Sequence, residues 1–364
     1  MNKRILIFST AYFPLVGGAE VAVKELTARL SDFTFVMITA KLKSNLPNYE
    51  KIGNVEVYRI GTGSRWDKFR LIWEGHKKAK ELGKFDRVWS IMASYAGFAA
   101  LRYKKRNKQV PFLLTLQEGD SKWDIYKHVW WCWPYFKQIF KKADRIQAIS
   151  NYLANWAEKL GAKRSIEVVP NGVNFNTFQS SNSEARSGKI VVTTSRLVTK
   201  NGLSDLIKAM NYLDTTVKLR IIGSGSLEDS LKKEAALFGE RVQFLGEKSH
   251  QEISRELRDS DVFCRPSLSE GLGNSFLEAM YAGVPIVGTN VGGIPDFLVD
   301  GETGLFCKVG DPKDIAEKIN RILSNQILAE KLRINGQKLV KEKYSWDMIA
   351  EKMKTIFNNL CNPQ

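Results

Sequence analysis

The residue types best suited to chemistry are concentrated between Arg265 and Gly283, in the stretch RPSLSEGLGNSFLEAMYAG. Its segment Glu270–Asn274 contains too much glycine for a regular element, so we expect a loop whose backbone can approach a ligand closely. Ionised carboxylates such as those of Glu270 and Glu278 can only accept hydrogen bonds, which suits the hydroxyl groups of a sugar or a ribose. The stretch therefore predicts a site for a ligand rich in hydroxyl groups.

Regular elements are expected on both sides of this loop. The segment Asp261–Cys264 is typical of a short buried strand, and Ser275 is a suitable N-cap for a following helix. Glu278 stands at capping-box spacing from Ser275. The free N–H groups and the positive dipole end of such a helix favour an anion. A phosphate and hydroxyls in one site indicate a nucleotide sugar; the alternative is that Glu278 only caps its helix and Glu270 is a solvated acid.

Composition limits the class of protein. The 364 residues suffice for two domains with substantial cores. No apolar run reaches the ~18 residues of a membrane-spanning helix. The four cysteines form no CxxC pair, so reduced thiols in a cytoplasmic protein are expected rather than disulfides or zinc ligands. The three histidines are scattered, and no metal site is predicted.

Positive charge is concentrated in the first half of the chain. Residues 1–180 carry +15 of the net charge of +16 and eight of the nine tryptophans. The segment Trp123–Phe136 is rich in aromatic residues and is followed by three lysines. It fits either an interfacial helix on an anionic membrane or a platform for a sugar or lipid-linked acceptor, with a buried core helix as the alternative. No nucleic-acid-binding motif is visible.

Alternating strand and helix patterns predict two α/β domains with doubly wound parallel sheets. The first domain is expected over residues 1–178, a polar linker over 179–188 and the second domain over 189–345. The remaining segment, 346–364, is expected to form a last helix. In the first domain, Gln117 and Glu118 follow an apolar run, so they should lie at the carboxyl end of a strand, where ligands bind in such sheets.

Two cations of the second domain also follow a predicted strand. Arg196 and Lys200 lie between an apolar run and a predicted helix start, which suits the binding of a diphosphate. The pair Asp259 and Asp261 has the spacing of a DxD metal motif. We reject that interpretation, because Asp261 begins the strand that leads into the glycine-rich stretch.

Several motifs occur in the order found in one family. The segments PNGVN, RLVTKNG, EGLGNSFLEAM, GGIPD and GETGL resemble the signature motifs of the retaining GT-B glycosyltransferases of family 4. The resemblance implies two Rossmann-like domains facing a central cleft, with the last helix crossing back to the first domain. It implies no metal and no other cofactor. This sequence departs from the family pattern at Gln117, where a histidine is frequent, and at Asn174 and Asp296, which replace Asp and Glu.

The resemblance also assigns roles to residues. Glu270, Arg196 and Lys200 are expected to act on the transferred sugar and the leaving diphosphate, while Gln117 and Glu118 would touch the acceptor or the sugar. The remaining donor contacts are expected from Gly17, Gly18, Gly223, Gly225, Lys248, Gly271, Leu272, Gly273, Asn274, Ser275 and Glu278.

The function expected from these features is transfer of a hexose from a nucleoside-diphosphate sugar to an acceptor hydroxyl, with retention of anomeric configuration. UDP-linked and GDP-linked donors are both compatible with the sequence. The expected setting is surface polysaccharide or glycolipid synthesis in the cytoplasm, with peripheral attachment to the inner face of the membrane left open. The alternatives are a nucleotide-sugar epimerase on the same fold and a basic binding protein without catalysis.

Overall fold

The chain divides into two compact units. The computed structural model describes residues 3–177 and 189–360. The first unit comprises Met1–Asn171 and Trp346–Gln364, and the second comprises Gly172–Ser345. The boundary between the two units lies after Asn171 and not after the expected residue 178. The N–H of Val173 donates to the carbonyl of Tyr344 at 2.8 Å, and this contact joins Val173 to the second unit. The expected linker, 179–188, lies outside the described residues.

The first unit contains an eight-stranded sheet of order β3-β4-β2-β1-β5-β6-β7-β8. All neighbouring strands run parallel except β3, which is antiparallel to β4. The strands are β1 (Lys3–Ser9), β2 (Phe33–Ala40), β3 (Tyr49–Ile52), β4 (Val55–Ile60), β5 (Arg87–Ile91), β6 (Phe112–Leu116), β7 (Arg145–Ala148) and β8 (Ile166–Val168). The helices are α1 (Gly18–Arg29), α2 (Asp67–Glu81), α3 (Tyr95–Arg106), α4 (Lys122–Val129), α5 (Trp133–Lys142) and α6 (Asn151–Lys159).

The second unit contains a six-stranded parallel sheet of order β11-β10-β9-β12-β13-β14. Its strands are β9 (Lys189–Thr194), β10 (Val217–Ile222), β11 (Val242–Gly246), β12 (Val262–Arg265), β13 (Ile286–Thr289) and β14 (Leu305–Cys307). Its helices are α7 (Leu203–Ala209), α8 (Glu228–Ala235), α9 (His250–Arg258), α10 (Asn274–Tyr281), α11 (Pro312–Ser324) and α12 (Gln326–Lys343). The strand order is that of a Rossmann fold and reverses between β9 and β12.

The two sheets confirm the predicted fold class of two doubly wound α/β domains. Most strands are buried along most of their length, and this explains why they read as continuous apolar runs in the sequence. Across the parts of the chain that the structure describes, none of the helices has both the length and the apolar character required to cross a bilayer.

The last helix, α13 (Trp346–Asn359), completes the core of the first unit. The ring of Phe357 packs at 5.1 Å from that of Trp89 and at 5.5 Å from that of Phe33. The buried guanidinium of Arg87 donates to the carbonyl of Phe357 at 2.6 Å. Residues far apart in the sequence therefore form one hydrophobic core.

Shortening a buried side chain of α13 is expected to destabilise the first unit. Ile356 is 1% exposed, so Ile356→Val should lower the free energy of unfolding by about 1 kcal/mol. All nine tryptophans belong to the first unit, so urea unfolding followed by tryptophan fluorescence reports on that unit. The matched control is Met348→Ala, because Met348 lies on the same helix and is 42% exposed. Equal effects of the two substitutions would contradict the docking of α13.

Candidate functional site

The predicted diphosphate cations lie where the strand order of the second unit reverses. Arg196 is exposed and Lys200 is partly buried, and both follow β9. The carbonyl of Lys200 accepts a hydrogen bond from the N–H of Leu268, in the loop after β12, at 2.7 Å. The backbone thus joins the loop of the cations to the loop that leads into the glycine-rich stretch. This is the point at which open α/β sheets bind ligands.

Two further loops join the same site. The turn after β10, which contains Gly223 and Gly225, bonds to the loop after β9: the N–H of Leu197 donates to the carbonyl of Ser224 at 2.8 Å. In the loop after β13, Gly292 has φ of 57° and a Cβ there would lie 1.8 Å from the carbonyl oxygen of Glu270, so only glycine fits. The loops after β9, β10, β12 and β13 therefore interlock.

Arg265 is the central side chain of this site, although the sequence motifs predict no role for it. It is the last residue of β12 and is buried. Its Nη2 lies 2.5 Å from Oε2 of Glu270, and its Nη1 donates to Oγ of Ser275 at 2.7 Å. Its Nε donates to Oγ of Ser267 at 3.2 Å, and its guanidinium stacks over the ring of Phe276. The available sequence signal was an arginine that directly follows the apolar residues 262–264 and stands five residues before Glu270.

The two glutamates of the predicted site both interact with Arg265. Glu270 does so by direct contact, and its Oε1 also accepts the N–H of Gly271 at 3.0 Å. Burial raises the pKa of Glu278 to about 7, and the charge of Arg265 opposes this rise. Burial lowers the pKa of Arg265, while Glu270 and Glu278 oppose that shift. The site thus offers an ion-paired carboxylate and a second carboxyl group that titrates near neutral pH.

The predicted cap of α10 is wrong. The helix begins after Gly273, whose φ of 99° turns the chain into the first helical residue, Asn274, and no side chain caps it. Ser275 lies inside the helix, and its hydroxyl accepts from Arg265 instead. Glu278 consequently forms no capping box. The strand expected over Asp261–Cys264 spans Val262–Arg265, because the carboxylate of Asp261 accepts the N–H of Ile190 at 2.7 Å before the strand begins.

The other predicted donor-binding residues of the second unit lie in the glycine-rich loop or after β11. Gly271 and Leu272 are buried next to Glu270. Lys248 follows β11, and its Nζ lies 3.8 Å from a carboxylate oxygen of each of Glu252 and Glu256. Its ammonium is therefore paired with two acids of α9. The predicted contact with a nucleotide base would be made by the backbone of Lys248, and it stays a prediction.

In the first unit, the predicted acceptor residues follow β6. Oε1 of Glu118 accepts the N–H of Ala93 at 2.6 Å, and its buried Oε2 has no partner among the described residues. Burial raises the pKa of Glu118 to about 7, while hydrogen bonds from backbone N–H groups oppose this shift. Oε1 of Gln117 accepts from Nδ2 of Asn171 at 3.2 Å. Gln117 is therefore fixed, whereas Glu118 keeps an oxygen for a ligand.

The strand order of the first unit reverses between β1 and β5. Gly17 and Gly18 follow β1 at the start of α1, with Gly17 as the N-cap. After β5, Met92 has φ of 69°, which is strained for a residue with a side chain. The hydroxyls of Thr10 and Ser94 are 3.0 Å apart across this reversal. Gly17 and Gly18 follow β1, and Glu118 follows β6. These predicted residues thus lie beyond the carboxyl ends of parallel strands of the same sheet.

Comparison with known proteins identifies the class of this fold and site. The sequence profile described as "Glycosyl transferases group 1" matches residues 174–339, and the profile described as "Glycosyltransferase Family 4" matches residues 16–177. Together they span the chain from residue 16 to residue 339. The chain belongs to the group 1, family 4 glycosyltransferases.

Similar proteins match along nearly the whole chain. A GDP-mannose-dependent monoacylated alpha-(1-6)-phosphatidylinositol monomannoside mannosyltransferase of Corynebacterium glutamicum is 24% identical, with 98% of each chain covered. Sucrose-phosphate synthase from Thermosynechococcus elongatus has a TM-score of 0.86 at 21% identity, covering 98% of this chain and 99% of that chain. The Anabaena protein HepE, solved in complex with UDP and glucose, has a TM-score of 0.82 at 18% identity, covering 98% and 100%. These structures confirm the GT-B fold.

Proposed function

We propose that this glycosyltransferase moves a hexose from a UDP- or GDP-linked sugar to an acceptor hydroxyl, with retention of anomeric configuration. The proposed setting is the synthesis of a surface polysaccharide or glycolipid. The relatives support a nucleotide-sugar donor, since one is GDP-mannose-dependent and another was solved with UDP and glucose. They favour neither nucleotide over the other.

The interlocked loops at the β9–β12 reversal carry the donor assignment. Arg196 and Lys200 lie in the loop after β9 and can neutralise a diphosphate. Buried hydroxyls of three consecutive residues, Thr193, Thr194 and Ser195, have no partner among the described residues. Side chains along a strand alternate between its two faces, so the hydroxyl placed to meet a polar ligand at the end of β9 is that of Ser195, the first residue after the strand.

The proposed reaction breaks the bond between the anomeric carbon and the diphosphate oxygen, and the acceptor oxygen bonds to the same carbon. The electron pair leaves with the diphosphate, whose developing charge Arg196 and Lys200 stabilise. The acceptor hydroxyl passes its proton to the departing diphosphate oxygen on the same face, so no protein base is required. Glu270 would orient sugar hydroxyls and Glu278 those of the ribose.

Further parts of the proposal concern the acceptor and the setting. Glu118, with its partnerless Oε2, would accept a hydrogen bond from a hydroxyl of the acceptor or sugar. Because Arg196 and Lys200 supply positive charge, we propose that no metal is needed, and activity should persist in EDTA. Cys132, Cys264 and Cys307 are free thiols, which supports a cytoplasmic location; Cys361 lies outside the described residues.

Arg196→Ala and Lys200→Ala should each weaken nucleotide binding about tenfold, because each removes a charge-assisted contact with the diphosphate. A thermal-shift panel of UDP, GDP, ADP and their sugars identifies the donor, since a ligand of the native state raises the melting temperature. Titration of the best nucleotide then gives the change in Kd. The matched control is Lys218→Ala, since Lys218 is an exposed cation near the amino end of β10.

Three outcomes would contradict the proposal. Wild-type protein that responds to no nucleotide would remove the donor site. Nucleotide-sugar turnover to an isomer, without acceptor-dependent release of nucleotide, would indicate an epimerase. An inverted anomeric signal of the product in NMR spectra would overturn retention.

A further inference from the structure

Five tryptophans of the first unit expose most of their side chains. Trp66 and Trp73 flank or lie on α2, Trp123 lies on α4, and Trp130 and Trp131 lie in the turn between α4 and α5. Each is between 58% and 67% exposed. Side chains of this size expose on the order of 600 Å² in total, divided between the group at α2 and the group at α4 and the turn that follows it. Such exposure indicates a binding surface.

The helices that carry these tryptophans lie in one layer. α3 packs against both α2 and α5, and α4 packs against α5. Aromatic contacts run across the layer: Phe69 of α2 meets Tyr95 of α3 at 5.1 Å, and Phe98 of α3 stacks on Tyr135 of α5 at 5.6 Å. Right-handed crossovers place α2, α3 and α5 on the same side of the sheet. The two groups of tryptophans therefore belong to one side of the first unit.

Cations are interleaved with these rings. Arg65 lies over Trp66, Arg102 lies over Trp73 at 4.3 Å, and Lys127 lies over Trp123 at 5.5 Å. Residues 95–142 contain ten basic and three acidic residues. Burial lowers the pKa of Lys105, and the nearby charge of Lys142 lowers it further, so like charges are crowded here. We call these five tryptophans and their cations the aromatic–basic face.

We propose that the aromatic–basic face binds the surface of a bilayer that contains anionic lipid. Indole rings are suited to the boundary between headgroups and acyl chains, and lysine and arginine stems can lie along it while their charges reach lipid phosphates. Clustered cations next to such rings add electrostatic attraction to anionic headgroups. The inference goes beyond glycosyl transfer, since binding needs neither donor nor acceptor.

Charge and geometry disfavour two other occupants. A second copy of the chain, docked by a two-fold axis, would bring the same cations against each other, and like-charge contacts are unfavourable. Single-stranded nucleic acid binds by stacking bases on open aromatic faces. Trp123 has Lys127 over its ring and Tyr126 stacked on it at 5.7 Å, and Trp73 has Arg102 over its ring, so these rings offer little open face to a base. A bilayer requires only that the ring bodies be buried.

Vesicle co-sedimentation of the full chain tests the proposal. Wild-type protein is expected to sediment with phosphatidylcholine vesicles that contain phosphatidylglycerol, and less at high salt or with phosphatidylcholine alone. Tryptophan emission should shift to the blue on binding. The triple variant Trp123→Ala/Trp130→Ala/Trp131→Ala and the double variant Trp66→Ala/Trp73→Ala should each partition at least about tenfold more weakly. Arg65→Glu/Lys127→Glu should reduce binding without removing a tryptophan.

The matched control is Leu237→Ala/Ile327→Ala, which removes two exposed apolar side chains of the second unit and should leave partitioning unchanged. Unchanged melting temperatures establish that the variants fold. The proposal is overturned if wild-type protein does not sediment with anionic vesicles at low salt, or binds neutral vesicles equally well. It is also overturned if the tryptophan variants lose an oligonucleotide complex or a dimer while vesicle binding persists.

Discussion

Replacing Arg265 with methionine is expected to lower the free energy of unfolding of the second unit by about 3–5 kcal/mol. The side chains of Arg265 and Glu270 are 6% and 15% exposed, so the substitution leaves a carboxylate without its buried partner. It also removes the donors to Ser275 and Ser267. The melting temperature of this unit should fall by roughly 10 °C. Calorimetry is the suitable measurement, because the second unit contains no tryptophan.

A double-mutant cycle separates the charge from the packing. Arg265→Met/Glu270→Gln removes the stranded charge, so it should be more stable than Arg265→Met alone by about 1–3 kcal/mol. The control is Arg321→Met, since the exposed Arg321 of α11 should change stability by no more than about 0.5 kcal/mol. Strict additivity of the two substitutions would show that Arg265 and Glu270 are not coupled.

Glu278→Gln is expected to stabilise the free protein above neutral pH while it weakens nucleotide binding. The folded pKa of Glu278 is about 7, against the ordinary 4.5. Between these values the folded carboxyl group keeps a proton that the unfolded chain releases, so its contribution to stability is lost as pH rises. Glutamine does not ionise. The stability of Glu278→Gln relative to wild type should therefore increase by about 2–3 kcal/mol between about pH 5 and about pH 8.

Nucleotide affinity should change in the opposite direction. In the proposed donor site an ionised Glu278 would accept hydrogen bonds from two ribose hydroxyls, so Glu278→Gln should raise Kd by about tenfold or more at about pH 8. The wild-type affinity should fall as Glu278 takes up its proton below about pH 7, and the variant should lose this dependence. Glu240→Gln, at an exposed position of the same unit, is the control for both measurements. An unchanged Kd would exclude Glu278 from the ribose site.

The fold could be predicted because its signals are local. Buried parallel strands require apolar runs, and a chain that alternates such runs with amphipathic helices allows few topologies. The glycine-rich loop could also be predicted, since Glu270–Asn274 contains two glycines between polar residues. The structure gives a reason for a third glycine: Gly292 makes room for the carbonyl of Glu270.

Competition between partners limited the prediction of the site. Ser275 was a good candidate cap, but Arg265 takes its hydroxyl, and a partner from another element cannot be read from helix-start rules. The pKa values of Glu118 and Glu278 depend on burial, which follows only from the packed structure. The first boundary between units depends on the contact of Val173 with Tyr344, which joins residues far apart in the sequence.

The division of the chain into units sets an order of completion during synthesis on the ribosome. The second unit is one uninterrupted stretch, Gly172–Ser345, so all of its strands have been synthesised before α13 is made. The first unit begins earlier but lacks Ile356 and Phe357 from its core until the last helix leaves the exit tunnel. Domains usually fold in the order in which they are made. Here the first unit cannot complete its folding until the second unit and α13 have been translated, and until then part of its apolar core stays uncovered.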